Sequence, residues 1–333
     1  MKKLWISVLM VCLLTGVLAG CTIGDTEYVL DIEVVVPQGD HVFSINGSKC
    51  TQEEAKLYLC NYQNLYGNEY GMNLWEHDFG AMHKDETLKA YVKDITLSQL
   101  ANILCMNLLA DVKEIELTAN EKKMAEVAAK EYYASLSSAE LAYMGVELED
   151  VQQYYERYAI AEKLYAVLTQ GVNEEVSDDE ARVIRVQQIY VVSQENAQEV
   201  QKKLADGDDF ASVASNYNEA NSIETIMKRG DFPTEVEMAA YNLDNNQHSD
   251  MIVTADGYYF IKCLNKFEVE LTELNKVDII AQRQKQQFDD VFYEFIVASE
   301  FELNEEIWDD IDLDTSGTIT TDSFFAVYDK YFN

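Results

Sequence analysis

Residues 181–192 read ARVIRVQQIYVV, residues 193–219 read SQENAQEVQKKLADGDDFASVASNYNE, and residues 230–267 read GDFPTEVEMAAYNLDNNQHSDMIVTADGYYFIKCLNKF. The first piece alternates apolar and polar residues through Val186, Gln187, Gln188, Ile189, Tyr190 and Val191, the period of a strand. The second sets Ala197, Val200 and Leu204, then Phe210, Val213, Ala214 and Tyr217, at helical spacing. Gly207 stops the first of these helices, and Asp208 and Asp209 can cap the second. Val236, Ala239, Ala240 and Leu243 predict a further short helix. Residues 251–254 and 258–264 predict a hairpin joined at 255–257. Strand, helices and paired strands in this order make a small α+β module over residues 179–268.

Two blocks of the module carry a family resemblance. LADGDDFASVA (204–214) resembles the helix-turn-helix segment of parvulin-type peptidyl-prolyl isomerases. SDMIVTADGYYFIKCL (249–264) resembles their closing hairpin, with Ser249, Asp250, Thr254, Gly257 and Tyr258 matching. The blocks stand in the family's order and cover about a quarter of the chain. Carried over by position, the resemblance places the family's first-strand histidine at Gln188 and its last-strand histidine at Tyr259. It places the methionine and phenylalanine of the proline pocket at Phe232 and Val236. Of the central set, Thr254 alone keeps the family's residue. The expectation is a parvulin scaffold whose isomerase activity is weak or absent.

Outside the module the pattern is helical. Residues 51–66, 85–114, 118–135, 137–144 and 148–170 carry apolar residues at helical period, with Leu97, Leu100, Ala101, Leu104 and Leu108 tracing one long amphipathic helix. Thr51 with Glu54, Thr118 with Glu121 and Ser177 with Glu180 have the spacing of capping boxes. Residues 41–48 (HVFSINGS) predict a strand and an Asn-Gly turn ahead of the first helix, an entry similar to the chaperone domain of SurA-like and PrsA-like foldases. Helical spacing resumes at 270–297. The expected architecture is therefore α+β: a helical domain from both chain ends (41–178 and 269–333) with the parvulin-like module inserted.

The first residues, MKKLWISVLMVCLLTGVLAGC, combine Lys2 and Lys3 with an apolar run and the lipobox-like Leu18-Ala19-Gly20-Cys21. The expectation is a signal peptide over 1–20, diacylation at Cys21 and a tether over 21–40. Two acyl chains give the anchoring that one does not. The net charge is −35, and −37 once residues 1–20 are removed, because they hold two lysines and no acids. Such a chain repels nucleic acid and anionic headgroups. The expected partners are unfolded or partly folded secreted proteins, and the membrane through the lipid.

The remaining motifs point less far. Cys50, Cys60, Cys105 and Cys263 have no metal-ligand spacing, and Cys60 and Cys105 fall in apolar helical patterns as buried thiols, with a bridge left open. His41, His77, His83 and His248 form no ligand pair, so no metal or cofactor is expected. Tyr58, Tyr62 and Tyr66 share one helix face, which suits a client-binding cradle or ordinary interhelical packing. Asp312, Asp314, Ser316, Gly317 and Thr320 fit an EF-hand loop. Its twelfth position is Ser323 instead of glutamate, so a polar turn is the reading. Two rivals stand beside the foldase: an active isomerase with an atypical pocket, and a ligand-binding surface lipoprotein without a folding role.

Overall fold

A computed structural model describes residues 33–34, 39–71, 74–76, 87–314 and 316–332. The expected leader 1–20, Cys21, most of the 21–40 tether, His77 and His83 lie outside the described residues. The fold is α+β and divides into two compact units. One joins Met1–Gln170 with Gln286–Asn333; the other is the insert Gly171–Lys285.

The helical unit begins with β1 (Glu33–Val34), β2 (His41–Ile45) and β3 (Ser48–Thr51). Asn46 (φ 48°) and Gly47 (φ 82°) form the turn between β2 and β3, both in the left-handed region that a two-residue hairpin turn of this hand requires. Then come α1 (Gln52–Tyr70), α2 (Leu88–Val112), α3 (Ala119–Ser135), α4 (Ser138–Met144) and α5 (Leu148–Leu168). Thr118 and Glu121 close a full capping box on α3. At α1 only half of the expected box forms: Thr51 Oγ1 accepts from Glu54 N, but the Glu54 carboxylate pairs with Arg157 on α5. At Ser177 the same happens, since Glu180 reaches Arg283.

The insert runs α6 (Asp178–Ala181), β4 (Ile184–Val191), α7 (Gln194–Ala205), α8 (Phe210–Tyr217), β5 (Glu224–Met227), α9 (Thr234–Ala240), β6 (Ile252–Val253) and β7 (Tyr258–Asn265). The long helix α10 (Val269–Val297) passes from the insert's residues into those of the helical unit. β8 (Phe301–Leu303), α11 (Glu305–Asp310) and α12 (Phe324–Phe332) follow.

In the helical unit β8 lies between β1 and β2, parallel to β1 and antiparallel to β2, in a sheet of order β1-β8-β2-β3. Both chain ends thus share one sheet. Above it, α2 is apolar enough and long enough to cross a membrane, but 67% of that window is buried inside the protein, as in a core helix. Tyr58, Tyr132, Tyr155, Phe288, Phe292 and Phe324 are the large, nearly fully buried side chains of this core. Cys50, Cys60 and Cys105 are buried free thiols here, and Cys263 is one in the insert.

The tail motif is a turn held by its own side chains. Asp314 accepts from Ser316 N (3.1 Å) and Oγ (2.8 Å), and Asp312 pairs with Lys89 at 2.8 Å.

The insert's sheet has the order β5-β4-β7-β6, antiparallel throughout. Alternation along β4 sends Ile189 and Val191 to a core under α7 and α8, and Ile184 and Val186 to a second core under α9. Gly257 (φ 154°) precedes β7 where a Cβ would stand 2.7 Å from Val191 O and 2.8 Å from the Tyr190 ring. Only glycine fits there without displacement.

Candidate active site

The candidate site lies on the α9 face of β4 and β7. Their register pairs Gln188 with Ile261 and Tyr190 with Tyr259. Directly paired residues of an antiparallel ladder point to one side. Gln188, Tyr190, Tyr259 and Ile261 therefore share the face that packs on α9 and carries Phe232 and Val236 against its core. The structure places four of the five positions predicted from the sequence on this face or its core; Thr254 lies in the turn between β6 and β7.

Each position has a definite task. Gln188 is buried, its Nε2 donates to Ser222 O (2.9 Å) and its main-chain N–H to Ile223 O (2.7 Å), so it holds the 218–223 loop against β4. Tyr259 is half-buried, with its ring 4.7 Å from that of Tyr190. Burial, then the charges of Tyr190 and Asp256, raise the Tyr259 hydroxyl above its ordinary pKa, so it stays a neutral phenol. Tyr190 Oη donates to Asp256 O (2.7 Å), which fixes the ring beside the hairpin turn. Thr254 donates from both N (2.9 Å) and Oγ1 (3.0 Å) to Gly257 O and so closes that turn.

One expectation needs correction. Val236 does not line an open pocket: it is 0% exposed and fills the core between α9 and the sheet. Phe232 remains half-buried at the edge of this core. Its loop is clamped by Glu237 on α9, whose Oε1 accepts from Gly230 N (2.6 Å) and Phe232 N (3.1 Å). Beside it Tyr241 donates to Arg182 O (3.0 Å), and its ring lies 4.9 Å from the Arg182 guanidinium and 4.4 Å from that of Arg229. Burial pushes the Tyr241 hydroxyl up to about 12.

His248, the insert's one histidine, lies away from this face. It bridges to Lys262, faces the opposite core with its ring 6.2 Å from Phe210, and sets Nδ1 2.9 Å from Ser249 O. Sequence reasoning passed over Tyr190 and Glu237. The period-2 step from Gln188 would have found the first; no local signal marks the second.

Tyr58, Tyr62 and Tyr66, the expected cradle, divide on burial. Tyr58 is 0% exposed, with its ring 5.3 Å from Phe324, so it is a core residue that no client touches. Tyr62 and Tyr66 are half-buried and pack on the same core, Tyr62 with its ring 5.3 Å from Phe325.

A face of aromatic and aliphatic side chains around the Tyr190 and Tyr259 rings can hold a ring by apolar contact. The order β4–α7–α8–β5–α9–β6–β7 around such a face is that of a parvulin-type isomerase module. The family model for the rotamase PPIC-type PPIASE domain matches residues 188–265. The chain is PrsA-like. It is 29% identical over 167 residues to foldase protein PrsA 3 of Bacillus anthracis, covering 46% of this chain and 58% of that one. It is 30% identical over 152 residues to foldase protein PrsA of Streptococcus mutans, covering 41% and 46%. This chain therefore spans just over half the length of the Bacillus relative. Among solved structures, the peptidyl-prolyl isomerase PrsA of Bacillus cereus is 19% identical. It covers 76% of this chain and 99% of its own, at a TM-score of 0.38.

Proposed function

We propose that this chain is a lipid-anchored extracytoplasmic foldase that assists secreted proteins to fold, with weak or absent prolyl isomerase activity. In this reading residues 1–20 are a cleaved leader, Cys21 carries the lipid, and residues 21–40 are a tether. Similarity to proteins named as foldases supports the class. The observation that carries the statement about activity is the α9 face of β4 and β7.

Rotation about the prolyl amide faces a barrier of about 18–20 kcal/mol from its double-bond character. A protein lowers it by gripping the proline ring and by hydrogen bonds that favour the twisted amide over the planar one. On this face Phe232, Tyr190, Tyr259 and Ile252 offer the apolar contact. At the two positions that resemble the family's histidines, however, the Gln188 amide is committed to Ser222 and Tyr259 is a single phenol. Val236 closes the depth into which a ring would sink. Grip without polarisation gives binding with little rate gain.

The test has two arms on one preparation. Exchange spectroscopy on a short Ala-Pro peptide measures cis/trans exchange with and without the protein, and light scattering measures aggregation of an unrelated unfolded protein. Background exchange with suppressed aggregation is the expected result. Accelerated exchange that Tyr259→Phe abolishes would establish an active isomerase with an atypical pocket. Neither effect, with one tight small-molecule ligand, would leave a binding lipoprotein. Loss of acyl-chain labelling in Cys21→Ser checks the anchor.

A further inference from the structure

From Ile311 to Ser323 the described chain has neither helix nor strand, yet it runs through the helical unit with Ile311, Leu313 and Ile319 buried. A main chain so placed must find partners for its N–H and C=O groups. Some of these partners are the segment's own side chains, as at Leu313, Ser316 and Thr318; the others are side chains of other elements. Gln63 on α1 holds both groups of Asp314, donating to its carbonyl (2.7 Å) and accepting from its N–H (2.8 Å). Asn64 donates to Thr321 O (2.7 Å). Glu140 on α4 accepts from the N–H groups of Thr320 (2.9 Å) and Thr321 (2.8 Å). At the start of α12, Asn61 accepts from Phe324 N (3.0 Å), and Tyr155 on α5 donates to Phe324 O (2.8 Å).

All five of these side chains are buried, the most exposed at 5%. A permanently packed core of this size is more simply built from apolar residues, because every buried polar group requires a partner. Three buried amides within four residues of α1, together with one carboxylate of α4, are instead matched to the peptide groups of a distant segment. Glu140 stays ionised in this setting. Burial opposes its charge, but the N–H groups of Ser137, Thr320 and Thr321 hold its pKa below the ordinary range. Contacts to peptide groups do not depend on sequence. The selective element is a slot for one ring: Phe324 stacks on Tyr155 at 4.3 Å, with Tyr58 and Tyr132 each at 5.3 Å.

We propose that this seat is an exchangeable polypeptide groove. The chain's own C-terminal segment occupies it, and an extended client segment bearing an aromatic residue displaces that segment. The inference rests on the chaperone reading above for its client. The exchange itself does not depend on that reading.

The test uses a fluorescein-labelled peptide with the sequence of residues 311–332, added to the full chain and to its Phe324→Ala variant. The variant empties the ring slot and leaves α1, α3, α4 and α5 unaltered. Fluorescence anisotropy is expected to show binding at least tenfold tighter to the variant than to the parent chain. Adding Gln63→Ala to the variant should weaken that binding at least tenfold. No binding to a folded Phe324→Ala chain, or binding indifferent to Gln63→Ala, overturns the proposal. If the variant fails to fold, native-state hydrogen exchange on the parent chain decides. The amides of Thr320, Thr321 and Phe324 should exchange by local opening at least a hundredfold faster than those of α2. Equal protection means a fixed core segment and overturns it. Suppressed aggregation without peptide exchange sinks this inference alone; peptide exchange without suppressed aggregation sinks the chaperone reading alone.

Discussion

Glu162 on α5 makes the helical unit lose stability as pH rises, through the docking of α12. Its Oε2 accepts from the Tyr328 hydroxyl at 2.5 Å, and its Oε1 is buried without a hydrogen-bond partner. Burial first, and then the charge of Asp329, push this carboxyl from 4.5 up to about 7, while the Tyr328 hydrogen bond works the other way. In the unfolded chain it returns to the ordinary carboxylate value. Between about 4.5 and about 7 the folded state therefore holds a proton that the unfolded state has lost. Its contribution is fully present below the lower value and is lost as pH rises through the upper one. At 1.36 kcal/mol per tenfold, the full shift corresponds to roughly 3 kcal/mol. The side chain keeps some contact with water, so screening reduces this to about 1.5 kcal/mol.

The perturbation is Glu162→Gln, which keeps the shape and cannot ionise. The assay is urea unfolding at pH 5, 6, 7 and 8, followed by tryptophan fluorescence. Trp75 and Trp308 are buried in the helical unit and the insert has no tryptophan, so in a chain lacking residues 1–20, and with them Trp5, the signal reports on that unit alone. The stability of the parent chain relative to the variant should fall by about 1.5 kcal/mol from pH 5 to pH 8. A constant offset from the buried amide cancels in this difference. Parallel pH profiles for the two proteins would falsify the assignment.

Three further outcomes follow from single contacts. Tyr58→Phe removes a buried hydroxyl that has no partner, so urea midpoints should hold or rise by up to about 1 kcal/mol; a loss above that would show an unseen role. Arg157→Met leaves Glu54, 3% exposed, without its counter-charge and should cost about 3–5 kcal/mol in urea unfolding. The double variant with Glu54→Leu should recover most of that loss. Gly257→Ala drives a Cβ into Val191 O and the Tyr190 ring, costing about 1–3 kcal/mol. It should also shift the aromatic NMR signals of Tyr190 and Tyr259, whereas unchanged signals would contradict their packing.

The elements legible in the sequence were those whose signal is local. Thr118 with Glu121 announces α3, and the helical spacing of Leu97 to Leu108 announces α2. Asn46-Gly47 announces the first hairpin. The strands β1 and β8 were not legible. They have two and three residues, and each becomes a strand only by pairing in a sheet whose members lie some 250 positions apart in the chain. β5 escaped for the same reason, since its four residues take their partner in β4 across two helices. The half-formed boxes at Thr51 and Ser177 show how tertiary contacts override a local pattern. In each the glutamate has a stronger partner in an arginine, Arg157 or Arg283. The tyrosine stripe on α1 shows another limit. Spacing puts Tyr58 and Tyr62 on one face, but only the position of Phe324 and Phe325, more than 260 residues later, makes that face interior.

The candidate site divides along the same line, and that division bears on function. The residues that hold the insert's closing hairpin are recognisable by type because backbone geometry demands them. Gly257 admits the close approach of Val191 and Tyr190, and Thr254 closes the turn. Ser249 accepts from Ile261 N at 3.0 Å and pins β7. None of them projects a titratable group onto the α9 face. What that face can do to an amide is set by Gln188, Tyr190, Phe232 and Tyr259, and of these Tyr190 also bonds the hairpin turn at Asp256 O. Gln188 is tied into the scaffold as well. Its amide bonds Ser222 O and its main-chain N–H bonds Ile223 O, so a histidine placed there would require the 218–223 loop to find another anchor. Gln188→His should therefore raise the exchange of the Ile223-paired amide before it raises any isomerase rate. An immediate gain in rate with the loop intact would show that the position had stayed open to catalysis.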